Sequence, residues 1–319
     1  AAAAGCPPLA AAPGRSRRGS RQACPTTSPG VDAPGHDGRR SGDPRVVAEL
    51  PDRLVVLKPP DWEVYREGAG GMDRDAVPRL PAFLQAQLPP RRHALLRDAE
   101  HGFGFLHRLD VPSSGLVAVA KTRGAYLDLQ LQLRAGLFSR EYAVLAHGWL
   151  PPGRSAVDCR VHWLRELPLP SVVCRQGRPA RTELAALARG VRQGRAFGLA
   201  AVRIVTGRRH QIRVHFSHMG HALAFDGKYA SGRTAAEDAA WCPRNFLHRY
   251  RLGFRDAVGA SRAVAEPLPL DLASALAPLA PVDASSAAAV RRWAGRGCAE
   301  GGREAPGSGA DRPTARQRK

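Results

Sequence analysis

The chain has 319 residues, of which 48 are Lys or Arg and 28 are Asp or Glu, for a net charge of +20. No run of about 18 apolar residues occurs, so there is no candidate membrane-spanning helix. The six cysteines stand far apart without a C-x-x-C pair, which excludes a zinc knuckle or dithiol redox motif and makes a reducing compartment the default. Excess positive charge implies a polyanionic partner, most often nucleic acid. Only Lys58, Lys121, Lys228 and Lys319 are lysines, so 44 of the basic residues are Arg, a bias that GC-rich coding also produces in the tails.

In chain order, residues 1–45 are rich in Ala, Gly, Pro, Ser and Arg with almost no large apolar group. Such a segment cannot offset its ordering entropy and reads as a disordered extension. Its start holds Arg15, Arg17, Arg18 and Arg21 and no acid. That reads as an organellar transit peptide (mitochondrion or plastid) or as an extension without targeting meaning, the protein then being cytoplasmic or nuclear. Residues 46–280 form one domain. Leu54 to Leu57 predict a buried strand stopped by Pro59-Pro60. Residues 79–88 predict a short helix, and 116–120, after Gly115, a second buried strand. Ala125, Leu129, Leu133 and Leu137 recur at helical spacing across 124–138. REYAVLAHG then alternates, with Tyr142, Val144 and Ala146 on one face and Ala143 and Leu145 on the other. GRPARTELAAL and FGLAAVRIVTG predict two further strands. HQIRVHFSHMG predicts a helix closed by Gly220, and NFLHRYRLGF a last strand. Residues 281–319 read as a second disordered, basic tail. Without a regular βαβ rhythm, the fold class is α+β, a mixed, largely antiparallel sheet with flanking helices.

Two stretches carry chemistry: HRLDVPSSGLVAVAKT at 107–122 and TGRRHQIRVHF at 206–216. An isolated Asp110 before a Pro-Ser-Ser-Gly turn would be only a turn former. Beside Arg108 and a second cluster of Arg208, Arg209 and Arg213, it is a carboxylate held ionised, suited to act as nucleophile or base toward an anionic substrate. Arg208 and Arg209 at a helix N-terminus add to a dipole that favours phosphate. Arg213, one turn on, points toward Asp110 if Ile212 and Phe216 are core. His210, His215, His218 and His221 suggest a metal site, yet no H-E-x-x-H spacing occurs and no acid lies between them, so packing and RNA contact fit better. Ser113 and Ser114 lack the G-x-S-x-G context of a nucleophile elbow.

Together these segments resemble the RluA family of RNA pseudouridine synthases over roughly residues 50–275. HRLDVPSSG resembles the family's catalytic motif, TGRRHQIRVHF its second motif, LVVLKPPDW its opening strand, SREYAVLAHG the strand with its aromatic residue, and LHRYRLGF its late strand. The resemblance implies that Asp110 is the catalytic aspartate, Tyr142 the tyrosine stacking on the target base, and Arg213 the arginine paired with the aspartate. Arg108 would fill the gap left by a flipped base, Ile212 would line the base pocket, and His107 would support the loop. Arg208, Arg209, His210 and Gln211 fall in the RNA-contacting motif. Departures are Ser113 for the usual Thr, Ala222, Phe225 and Ala230 in HALAFDGKYA, Arg249 for Ala, and Arg255-Asp256 for His-Pro.

What the resemblance implies is a monomeric isomerase, without metal or other cofactor, that converts uridines of transfer or ribosomal RNA to pseudouridine after base flipping. Two other expectations stand beside it: a catalytically weak RNA-binding protein that keeps the fold, and a metal-dependent hydrolase built on the histidines.

Overall fold

The computed structural model describes residues 42–65, 77–163 and 169–295. The expected disordered segments, including the transit-like start, lie largely outside these residues. The chain enters its sheet through β1 (Arg45–Glu49) and β2 (Arg53–Lys58), an antiparallel pair. Helix α1 (Leu80–Gln87), with a proline in its first turn, precedes two 3-10 turns and β3 (Ser114–Ala120). All seven residues of β3 are buried, as an unbroken apolar run demands when both sheet faces are covered.

Helix α2 (Arg123–Arg134) starts where the Thr122 hydroxyl accepts from the Ala125 amide at 3.1 Å. The apolar spacing predicted helix to 138, but the helix ends at Arg134. Gly136 takes φ +70°, and the Leu137 amide folds back to the Gln132 carbonyl at 2.9 Å, a glycine-terminated helix end. Leu137 is thereby thrown outward and is 48% exposed.

Strand β4 (Ser139–His147) follows, then β5 (Ala156–Asp158), β6 (Val161–His162) and β7 (Val172–Val173), the last two forming a small separate ribbon. The long hairpin β8 (Arg181–Arg192) and β9 (Arg195–Ile204) leads to α3 (Gln211–His218), which stops before Gly220 as expected. Helix α4 (Gly232–Ala239) and β10 (Leu247–Arg255) come next. β10 is not the last strand: β11 (Ser261–Ala265) pairs with it, and α5 (Leu270–Leu276), β12 (Ala280–Pro281) and α6 (Ala284–Ala294) follow. The ordered domain therefore continues past 280. Asp283 caps α6 by accepting from the Ser286 amide at 2.7 Å, and Ala289, Val290 and Trp293 are buried. Three apolar contacts within an alanine-rich stretch were enough to dock a helix where composition predicted a tail.

The main sheet runs β1-β2-β3-β10-β4-β9-β8-β12, with β5 also on β8. Every pairing is antiparallel except β10 with β3, so the predicted mixed, largely antiparallel sheet is what forms. The alternation in β4 explains its central place. Tyr142, Val144 and Ala146 enter one core cluster, and Ala143 and Leu145 enter another.

Candidate active site

The loop from His107 to Ser113 enters β3 and is fixed from both sides. The Ser113 amide donates to the Asp110 carbonyl at 3.1 Å and closes the turn. Asn245 donates to the Ser113 hydroxyl at 3.1 Å, and Arg244 to the Ser114 hydroxyl at 2.9 Å. The fully buried Lys58 donates to the Pro59 and Val111 carbonyls at 2.8 and 3.0 Å. Burial, with Arg244 nearby, pushes the Lys58 ammonium down to about 7. Gly115 takes φ +130°, and a Cβ there would stand 2.5 Å from the backbone N and O of Arg249. Only glycine lets β3 and β10 approach this closely.

Helix α3 buries Ile212 and Phe216, which turns Arg213 inward. Its Nη1 donates to Asp110 Oδ2 at 2.7 Å. Its Nε and Nη2 donate to the two oxygens of Asp226, both at 2.7 Å, the fork geometry that suits a guanidinium. Asp226 is fully buried; the Asp110 side chain is 18% exposed. Burial opposes ionisation of Asp110, but the charge His210 carries in acid, the charges of Arg213 and Arg108 and the Arg213 hydrogen bond outweigh it and hold the carboxyl below its usual range. His210 Nε2 lies 3.8 Å from Asp110 Oδ1. Burial pushes His210 down to about 4, so at neutral pH the imidazole is neutral and the arginines supply the compensating charge. Burial disfavours the Arg213 charge as well, yet its two carboxylates keep it protonated above its ordinary range.

Tyr142 is 3% exposed and shares its cluster with Leu109, next to Asp110, and Ile212, next to Arg213. The motif side chains thus converge. The Tyr142 hydroxyl accepts from Nε and Nη2 of Arg249 at 2.9 and 2.5 Å. Arg249 Nη1 donates to His107 Nδ1 at 2.8 Å and to the Leu116 carbonyl at 2.9 Å. Burial, then the charges of Arg249 and Arg140, drives His107 well below its ordinary value and leaves it neutral.

The residues assigned to RNA contact divide. Arg108 is exposed. Arg209 lies over the Trp163 ring at 4.5 Å, near enough to Arg108 and Asp110 to feel their charges. Arg208 Nε donates to the Pro179 carbonyl at 3.0 Å. His210, at φ 54°, precedes α3, so Arg208 and Arg209 sit in the turn before the helix and not on its first turn. Its Nδ1 contacts the Tyr229 hydroxyl at 2.9 Å. Gln211 is buried: its Oε1 accepts from Thr206 Oγ1 and the Arg208 amide, and its Nε2 donates to the Arg181 carbonyl and Thr182 Oγ1. It shapes the turn and has no donor or acceptor left for a ligand. The histidines do not converge on a metal position: His215 is engaged by Thr182 and the Cys159 carbonyl at 3.0 Å each, and His221 donates to the His147 carbonyl at 2.8 Å. Among the described residues the one cluster with metal-like spacing is Asp98, Glu100 and His101, away from these histidines in sequence. Asp226, Lys58 and Arg249 are the site residues that motif reading passed over. Asp226 stood inside HALAFDGKYA, and Arg249 was visible only as a departure.

An ionised carboxylate on a pinned turn, locked to a buried arginine beneath an arginine-bearing rim, sits here on a fold seen before. The solved structure titled Human RNA Pseudouridylate Synthase Domain Containing 1 matches with a TM-score of 0.55 and 23% identity, over 77% of this chain and 91% of that one, which makes the fold that of a pseudouridylate synthase domain. The chain belongs to the RNA pseudouridylate synthase family, whose model matches residues 54–218. Ribosomal large subunit pseudouridine synthase D of Nitrosomonas europaea is 34% identical over 233 residues, covering 70% of this chain and 62% of that protein. The protein of the same name from Vibrio vulnificus is 32% identical over 239 residues, covering 71% and 68%. The chain thus spans about three fifths to two thirds of the length of these relatives.

Proposed function

We propose that the protein is an RNA pseudouridine synthase, an isomerase that acts through Asp110. The observation that carries this reading is the 2.7 Å contact between Arg213 and Asp110, which keeps one carboxylate charged in a family-matched loop beside exposed Arg108. The reaction breaks the N1–C1′ bond of a uridine and forms C5–C1′; N1 gains a proton and C5 loses one, so no atom is gained or lost. The target base must leave its stack, which costs a few kcal/mol. Arg108 would fill the vacated space. Asp110 would act on the ribose, at C1′ as nucleophile or at C2′ as base. Tyr142 and Ile212 would flank the uracil while it turns, with stacking worth about 1–3 kcal/mol. His210, neutral at pH 7, leaves the Asp110 charge available for the sugar.

The names of the relatives make ribosomal large-subunit RNA the first substrate to test, ahead of transfer RNA. Pseudouridine mapping of ribosomal and transfer RNA incubated with wild type or Asp110→Ala decides the matter. Wild type is expected to add pseudouridine at discrete positions and D110A at none. RNA bound without modification by both would leave the non-catalytic RNA-binding reading in its place.

A further inference from the structure

We propose that Arg249 is a positioning residue, one that holds the Tyr142 hydroxyl and His107 in register with the backbone of the catalytic loop. The inference rests on the reading of Tyr142 as a base-contacting side chain. Arg249 is 1% exposed, and among the described residues its hydrogen-bond partners are the Tyr142 hydroxyl, His107 and the Leu116 and Arg108 carbonyls, none of them a carboxylate. A buried cation without a counter-ion is expensive, and a position that needed only volume would be filled by Met or Leu. What compensates here is a full set of directed bonds. Nε and Nη2 meet one phenol oxygen, and Nη1 meets an imidazole nitrogen and the Leu116 carbonyl. Nη2 also reaches toward the Arg108 carbonyl at 3.4 Å.

The fold explains why one side chain can do this. β10 lies between β3 and β4, so residue 249 borders the strand that carries Tyr142 and the strand that the catalytic loop enters. Its backbone already touches Gly115. The planar fork then ties the two strands' functional ends together at fixed angles, which a lysine's single nitrogen cannot reproduce. The Tyr142 oxygen accepts two hydrogen bonds from the same guanidinium, so its own hydrogen is directed away from Arg249. His107 is kept as an acceptor at Nδ1. The arrangement presets the orientation of the ring before any RNA arrives.

The test compares Arg249→Met, Arg249→Lys, Tyr142→Phe and the double variant R249M/Y142F. Single-turnover pseudouridine formation, RNA affinity and thermal midpoint are measured on each. R249M and R249K are expected to lose about tenfold or more in rate with RNA affinity nearly unchanged, because small misplacement at a reacting centre costs orders of magnitude. In the Y142F background, R249M should cost less than in the wild-type background, since the hydroxyl is already gone and only the contacts to His107 and the Leu116 carbonyl remain to be lost. The thermal midpoint of each variant separates loss of folding from loss of positioning. A full rate in R249K and R249M, or an equal loss in both the wild-type and Y142F backgrounds, would overturn the proposal. A crystal structure of R249K provides a readout independent of activity: Tyr142 and His107 are expected to shift from their present positions, and an unmoved pair would overturn the proposal. If wild type itself makes no pseudouridine, the proposed function fails and the crystal structure still judges Arg249.

Discussion

Arg213 Nη1 lies 2.7 Å from Asp110 Oδ2, although 103 residues of chain separate the two. The pair holds Asp110 charged in a site where burial by itself pushes the carboxyl upward. Asp110→Asn should leave the fold intact and reduce pseudouridine formation by roughly 100- to 10,000-fold or more, the range associated with losing a reacting acid–base group. Arg213→Lys should also be slow, because one ammonium cannot satisfy Asp110 and both oxygens of Asp226. Single-turnover assays check both, and near-normal rates in either variant would remove the pair from the mechanism.

Asp226 holds the other edge of Arg213 and has no exposed surface. Asp226→Ala strands a buried guanidinium with one partner and is expected to cost about 3–5 kcal/mol of stability. Asp226→Asn, which keeps a single acceptor oxygen, should cost less. Urea unfolding of the two variants reads the difference, and equal stability to wild type would contradict the structural role.

Lys58 gives a pH dependence with a definite sign. Its folded value is about 7, against roughly 10.4 in an unfolded chain. Between these values the unfolded chain binds a proton that the folded one has released, so stability contributed by this group rises with pH. Below pH 7 both states are protonated and the full burial cost remains. Unfolding free energies measured from pH 6 to 9 should therefore rise more steeply for wild type than for Lys58→Met; parallel curves would refute the shift. Asp110 acts with the same sign in a lower window: its depressed value contributes stability above the ordinary carboxylate range, and this is lost as pH falls through the folded value.

Arg108 and Arg209 border Asp110 and bring charge without a carboxylate of their own in hydrogen-bond contact among the described residues. RNA affinity should fall with salt, and replacing either by Ala should reduce the salt slope by about one. Binding titrations from low to moderate salt measure it; an unchanged slope would take that arginine out of the phosphate contacts.

Gly115→Ala should be among the most damaging single-atom changes in the chain. The new methyl would meet the Arg249 backbone at 2.5 Å from a φ that L-residues avoid. A loss of about 3 kcal/mol or more, or failure to fold, is expected, and an Ala variant of normal thermal midpoint would contradict it.

Much of this was readable before the structure. The two-faced alternation of Tyr142 to Ala146 predicted a strand with a core on each side, and the apolar Ile212 and Phe216 predicted an inward Arg213; both hold. Asp226 escaped because it sits in a loop without periodicity, 13 residues from its partner Arg213 on α3, where only coordinates join the two. Gln211 was read as RNA-contacting because it is a polar side chain inside such a motif, while the structure shows its amide engaged in folding its own turn. Helix α6 was missed because alanine carries little pattern, and Trp293 alone does not announce a helix.

The family match ends at residue 218, yet the strand that joins the two halves of the sheet, β10, begins at Leu247. A polypeptide halted after α3 would already contain Asp110, Tyr142 and Arg213. It would nonetheless consist of two open sheet fragments, β1-β2-β3 and β4-β9-β8, each with a raw edge where β10 belongs. During synthesis the motifs leave the ribosome well before the strand that closes them together. The nascent chain therefore exposes those two edges until about residue 255 emerges, an interval in which unpaired strand edges favour aggregation.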